Sequence, residues 1–171
     1  ATSSLALNSG TIKDAATNDA TLTLPTIDNG SSLGGNKALV IDGVYPTITS
    51  VTSTATDGSF MIGDALPITV TFSEVINVVT TNGTPTLTLE TGTNDAAVTY
   101  ASGTGTNTLT FNYTVAEGHA STDLDYVATS SLALNSGTMK DGVGNDATLT
   151  LASPGATNSL GANKALVIDG V

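Results

Sequence analysis

The sequence predicts an all-β fold. Three observations carry the prediction. Apolar residues alternate with threonine at a period of two, Gly-, Asn- and Asp-rich turns separate the alternating runs, and residues 1–44 are written a second time as 128–171. Alternation lines one strand face with apolar side chains and leaves the other to solvent. Asn-Gly and Asp-Gly pairs tolerate the positive φ of tight turns. A long internal period marks an array of copied folding units.

In chain order, the first 44 residues offer about three strands, near Ser4–Leu7, Ala20–Leu24 and Ala38–Asp42. Pro46 cannot donate to a ladder and fits a first strand residue just after a linker. Leu66, Ile68, Val70 and Phe72 then alternate with Pro67, Thr69 and Thr71, and Thr86–Leu89, Thr108–Tyr113 and Thr148–Leu151 repeat the pattern. Ala38–Ile41 and Ala165–Ile168 are continuous apolar runs, as in a strand covered on both faces. Turns fall at Asp57-Gly58, Gly63-Asp64, Asn82-Gly83, Gly103-Thr104-Gly105 and Asn135-Ser136-Gly137. No stretch of ten residues carries a helical apolar stripe, so essentially no helix is expected. Many short strands with glycine-rich turns suggest a two-sheet, immunoglobulin-like β-sandwich.

About 32 of the 44 aligned positions in the two copies are identical, without a gap. The chain therefore reads as one complete repeat, 45–171, preceded by the C-terminal third of another, 1–44, with the boundary around Asp42–Pro46. A linker this short favours a stiff rod. Alone, residues 1–44 would expose sheet edges, which proteins avoid. Either they belong to a continuous array, or they act as donor strands for the 45–127 portion of another copy.

Fifteen acidic residues face four lysines and no arginine, a net charge of −11. Such a surface repels phosphate backbones, which argues against nucleic acid, and it supplies oxygen ligands for hard cations. No apolar run is long enough to span a membrane, and nothing in these residues reads as a signal-type leader, so an export address is expected to lie outside them. The absence of cysteine excludes disulfides and thiolate metal sites.

Asp57-Gly58-Ser59-Phe60, Ile62-Gly63-Asp64 and Ile68-Thr69-Val70-Thr71-Phe72-Ser73-Glu74 resemble the opening of bacterial immunoglobulin-like adhesin extenders. Gly83–Leu89, Tyr100–Phe111, Asp123-Leu124-Asp125-Tyr126 and Leu160–Asp169 resemble the repeat of cyanobacterial swimming-associated cell-surface proteins and related giant repeat proteins. The resemblance covers essentially all of 45–171, and 1–44 as a partial copy. It implies a very large exported, cell-surface or fibre-forming protein, usually calcium-dependent, whose tandem extenders separate a surface anchor from terminal binding modules. The expected localisation is accordingly extracellular or at the cell surface.

Candidate calcium ligands are Asp57, Asp64, Glu74, Glu117, Asp123, Asp125 and the linker pair Asp42 and Asp169, with Asp42, Asp57, Glu74, Glu117, Asp123 and Asp169 as the leading set. If strands alternate direction from Pro46, Glu74 returns to the entry pole beside Asp42. Glu117 and Asp123 then lie at the exit pole beside Asp169 and the next repeat. Carboxylates at such a junction repel unless a cation neutralises them; solvated surface acids are the alternative. Asp14, Asn18 and Asp19, with their copies Asp141, Asn145 and Asp146, form an acidic loop that Asx-turn chemistry explains, with metal binding as the alternative. His119 is the sole histidine and has no cysteine, second histidine or nearby serine motif to work with, so neither a triad nor a zinc site is supported.

The expected function is non-enzymatic. The chain is a structural extender or fibre-forming repeat, rigidified by junction calcium, with neighbouring repeats and other copies of the chain as partners. The alternative is a carbohydrate- or ice-binding module using a threonine-rich β-face.

Overall fold

The computed structural model describes residues 2–171, and the chain divides into two units, Ala1–Asp42 and Gly43–Val171. Element order is α1 (Leu33–Asn36), β1 (Ile48–Ser53), β2 (Gly58–Met61), β3 (Ala65–Val79), β4 (Thr86–Leu89), β5 (Ala96–Ser102), β6 (Thr106–Thr114), β7 (Ala120–Ser121), β8 (Leu132–Ala133), β9 (Thr138–Lys140), α2 (Leu160–Asn163) and β10 (Leu166–Asp169). The all-β expectation holds.

In the second unit β3 is the spine. Its residues Leu66, Ile68, Val70, Phe72 and Ile76 are buried, and it pairs antiparallel with β1, β6 and β9 along successive stretches. Pro67 is tolerated because the last β1 pair is Ser53 with Ile68, so the ladder to which proline cannot donate has already ended. The seven-stranded sheet runs β1-β3-β6-β5-β4-β8, with β9 also on β3. A separate three-stranded sheet places β10 between β2, parallel, and β7, antiparallel. The apolar core draws on both sheets, with Phe111, Tyr113 and Leu109 from β6 and Leu166 and Ile168 from β10.

Chain exit lies at the start of β3 and chain entry beside Ser73, partway along it. At entry, the Thr148 N–H donates to the Pro46 carbonyl and the Ser73 N–H to that of Thr47. At exit, Gly170 exchanges hydrogen bonds with Gly118 and His119, just beyond Val115, whose N–H donates to the Asp64 carbonyl. From Asp64 to Ser73 a strand rises roughly 30 Å.

The last third of this unit closes the structure. Asn135 and Ser136 adopt φ of 47° and 69°, and the Gly137 N–H returns to the Leu134 carbonyl at 2.8 Å. Gly83 and Gly137 cross here so closely that a Cβ on Gly83 would sit 1.6 Å from the Asn135 carbonyl oxygen. Two expectations need correction. Residues 148–151 keep their alternating exposure, and Leu151 is buried, but they form no strand. Their hydrogen bonds go to separate segments, Thr148 to Pro46 and Leu151 to Thr129. Helix is not wholly absent either: the single turn of α2 is capped by Ser159, whose hydroxyl accepts from the Ala162 N–H. Four residues are too few to show an apolar stripe.

The first unit repeats the local geometry of that last third without its ladders. Asn8 and Ser9 adopt φ of 45° and 70°, Ser32 caps α1 as Ser159 caps α2, and Asp14 organises a loop like that of Asp141. Among the described residues of this unit no strand forms, contrary to the three expected. A strand needs a partner ladder, and the strands that serve β8, β9 and β10 have no counterpart here. The apolar side chains are exposed as a result: Leu33 is 70% and Ile41 93% accessible, against 0% and 3% for Leu160 and Ile168.

One substitution made at the two equivalent positions separates core from surface. Leu160→Ala is expected to cost about 2–5 kcal/mol, whereas Leu33→Ala should stay within about 0.5 kcal/mol. Urea unfolding of both variants checks this. Alkaline pH provides a second test. Burial pushes the Tyr113 phenol from 10.0 to about 12. Burial, then the Asp125 charge, does the same to Tyr126. The folded state favours the neutral phenols, so their stabilisation is complete below pH 10 and is lost as pH rises through about 12. Thermal melts across that window should fall, and Tyr126→Phe should flatten the fall while losing the 2.7 Å hydroxyl bond to the Ala152 carbonyl.

Candidate metal centre

The Asp141–Asp146 loop follows β9. Asp141 is buried, at 5% exposure. Its Oδ1 accepts from the backbone N–H groups of Val143, Gly144 and Asn145 at 2.9, 2.7 and 2.9 Å. Its Oδ2 accepts from Asn145 Nδ2 at 2.7 Å. Gly144 sits at φ 104°, a conformation side chains rarely adopt. Lys140 and Asp146 close the loop with an ion pair. Burial pushes the Asp141 carboxyl up, but the Asn145 backbone, the Asn145 side chain and the N–H groups of Val143 and Gly144 outweigh it and hold the group below its ordinary 3.8. The carboxylate is therefore kept charged by its own loop.

Glu74 reaches this loop from β3. Glu74 and Asp141 each present a carboxylate oxygen, and the two atoms lie within 4.8 Å of one another. Glu74 is half-buried. Two anions this close favour any cation that can bridge them. The donors are oxygens only, with no thiolate or imidazole, which suits a hard ion such as calcium. Asp141 Oδ2 has one intraloop bond and a lone pair left to offer, so the residues fit such an ion as part of a shell that needs further oxygens. The Asn145 side chain also donates to the Val44 carbonyl at 3.2 Å, tying the loop to the entry segment.

The other candidates are placed as follows. Asp42 is the exposed last residue of the first unit. Asp57 pairs with Lys164 at 2.8 Å and accepts from the Ala165 N–H. The Lys164 side-chain bond, then the Ala165 bond, holds its carboxyl below 3.8. Asp64 accepts from the Met61 N–H in the turn before β3, and Asp125 from the Tyr126 and Gly155 N–H groups. Glu117 lies on the exit turn, Asp123 in the loop after β7, and Asp169 at the end of β10. Among the described residues Asp57, Glu117, Asp123 and Asp169 do not gather into a group of three ligands. Asp141 was legible as an Asx loop, but nothing local signals that Glu74 comes beside it.

His119 stacks on Tyr113, ring centroids 5.7 Å apart, and its Nδ1 accepts from the Ala116 N–H while lying 3.0 Å from the Tyr113 hydroxyl. It braces the exit turn. The threonine rows are tied inward: Thr69 donates to the Thr52 carbonyl, and the Thr71 and Thr108 hydroxyls are 3.4 Å apart. No family model, curated protein or solved structure matches this chain.

Acid unfolding tests the loop. Because the folded Asp141 carboxyl is held low, its stabilisation is present above pH 3.8 and lost as pH falls through the folded value. Asp141→Asn should lower the Tm at neutral pH and weaken the acid limb, measured by calorimetry, while Asp14→Asn in the exposed copy should change little.

Proposed function

We propose that this chain is a non-enzymatic extender, one link of a tandem array in a large exported, cell-surface or fibre-forming protein, with a calcium ion stiffening the entry pole of each link. The observation that carries it is the position of the chain ends. Pro46 and Gly170 lie at opposite ends of the Asp64–Ser73 stretch, in a chain whose residues 1–44 recur 127 positions later. Units that enter at one pole and leave at the other extend end to end, and each added copy lengthens the array. The immunoglobulin-like sandwich belongs to the same proposal, supported by two sheets sharing one core. The repeat resemblance of Gly83–Leu89 and Leu160–Asp169 to swimming-associated surface proteins supports the same assignment.

Calcium would be held by Glu74 and Asp141, whose carboxylate oxygens lie within 4.8 Å of one another, with further oxygens completing its shell. A bound ion would neutralise the paired anions. The chain's own residues do the rest: the loop N–H groups keep Asp141 charged, and Asn145 fixes the entry segment.

Calorimetry with calcium and with a chelator tests the ion. Saturation at 100 times Kd should add about 2.7 kcal/mol, and Glu74→Gln should remove the gain; a Tm indifferent to chelation rules the ion out. Small-angle scattering tests the extender separately. The maximum dimension of arrays of 45–171 should grow in proportion to copy number, and compact arrays would refute the rod.

A further inference from the structure

The Gly43–Val171 unit grips its own chain at both poles. At exit the Gly170 N–H donates to the His119 carbonyl at 2.8 Å, and the Gly170 carbonyl accepts from the Gly118 N–H at 2.7 Å. A Cβ at Gly170 would lie 2.3 Å from the Ala116 carbonyl oxygen and 2.8 Å from that of His119, so the exit turn closes on bare backbone. The turn is itself braced, because His119 accepts from the Ala116 N–H and stacks on Tyr113. At entry the Val44 carbonyl accepts from Asn145 Nδ2 at 3.2 Å, and the same amide donates to Asp141 Oδ2 at 2.7 Å. Just beyond, the Pro46 carbonyl accepts from the Thr148 N–H at 2.8 Å, and the Thr47 N–H donates to Ser73 Oγ at 3.0 Å.

The duplication puts the two grips in register. Gly43 is the copy of Gly170, and Val44 is the copy of Val171. The position held by an exit turn is therefore followed at once by the position held by an entry loop, one Cα step of about 3.8 Å later. Only Tyr45 then precedes Pro46. Proline restricts the residue before it to extended backbone, and its own ring locks φ. No residue of the passage is left to swing. The copies keep each member of the grip, with Asn18 for Asn145, Gly43 for Gly170 and Val44 for Val171, although Gly144 of the same loop is matched by Thr17. Both grips are made by backbone groups and a neutral amide, so they need no ion.

We propose that successive links of the array are clamped directly to one another. The exit turn 116–119 of one link and the 141–145 loop of the next hold adjacent residues of the shared linker and meet across it. The partner of both surfaces is the adjoining repeat of the same chain. This rests on the tandem reading but not on calcium. The clamp fixes the angle between links, whereas extension depends on what that angle is.

Spin-label distances test the clamp. The full chain is extended after Val171 by a second copy of residues 45–171. Thr99→Cys, at an exposed position of β5, is placed in both links of a sequence that otherwise has no cysteine. Inserting Gly-Ser-Gly-Ser after Val171 gives an unclamped reference, since such a linker behaves as a flexible coil. With chelator present, the distance distribution across the uninterrupted junction should be about half as wide as the reference or narrower. That comparison needs no substitution in the loop. Asn145→Ala in the second link should widen the distribution about twofold, toward the flexible reference. The same substitution in the first link weakens the same loop away from the labelled junction and should leave the width unchanged.

A junction as broad as the reference, one that narrows only when calcium is added, or an Asn145→Ala effect that is absent or equal in the two links overturns the clamp. Each of those results leaves the extender standing if arrays still lengthen with copy number. A narrow junction in an array that scatters as a compact body keeps the clamp and refutes the rod.

Discussion

The Gly43–Val171 unit depends on being closed by its own last third. β3 and β6 present Leu66, Ile68, Val70, Leu109 and Phe111 toward one core, and Leu151, Leu160, Leu166 and Ile168 arrive from the end of the chain to complete it. Burying apolar surface contributes roughly 25 cal/mol per Å², and no local interaction in the last third approaches that sum. β10 also completes the backbone pairing of β2 and β7, which otherwise expose their edges. Hydrophobic cover and ladder closure come from the same 44 residues.

The first copy shows what those residues do without that cover. Their short-range devices persist: the positive-φ Asn-Ser turn, the Asx loop anchored by an aspartate, and the serine-capped helical turn. Each is made by groups within a few residues of one another, so sequence alone suffices to form it. The loop survives even with Thr17 at φ 71° in the place of Gly144, a conformation that costs a β-branched residue energy. The ladders do not survive, because in the second copy their partners lie 45 or more residues away, outside the duplicated segment.

The same division explains the paired carboxylates. The loop around Asp141 is local and keeps its anchor charged through its own N–H groups. Glu74 reaches it only because β3 runs past the entry end and turns to pair with β9. Charge at this pole is thus a product of topology, as is the pairing of Asp57 with Lys164 across 107 positions. Of the acids that the alternation sketch placed at the poles, Glu74 and Glu117 lie at the expected ends of the unit, but no sequence rule says which carboxylates share a neighbourhood.

By itself the sequence determined the fold class, the faces of β3, β4 and β6, the turn at Asn135–Gly137 and the copying of 1–44 as 128–171. These are set by side-chain periodicity, turn chemistry and identity, all of them local or directly visible. The tertiary structure decided which copy buries its leucines, that residues 148–151 spread their hydrogen bonds over several segments instead of forming a strand, and that Glu74 meets Asp141. Those outcomes depend on which distant segments are available to share a ladder or exclude water, and no stretch of the chain carries that information alone.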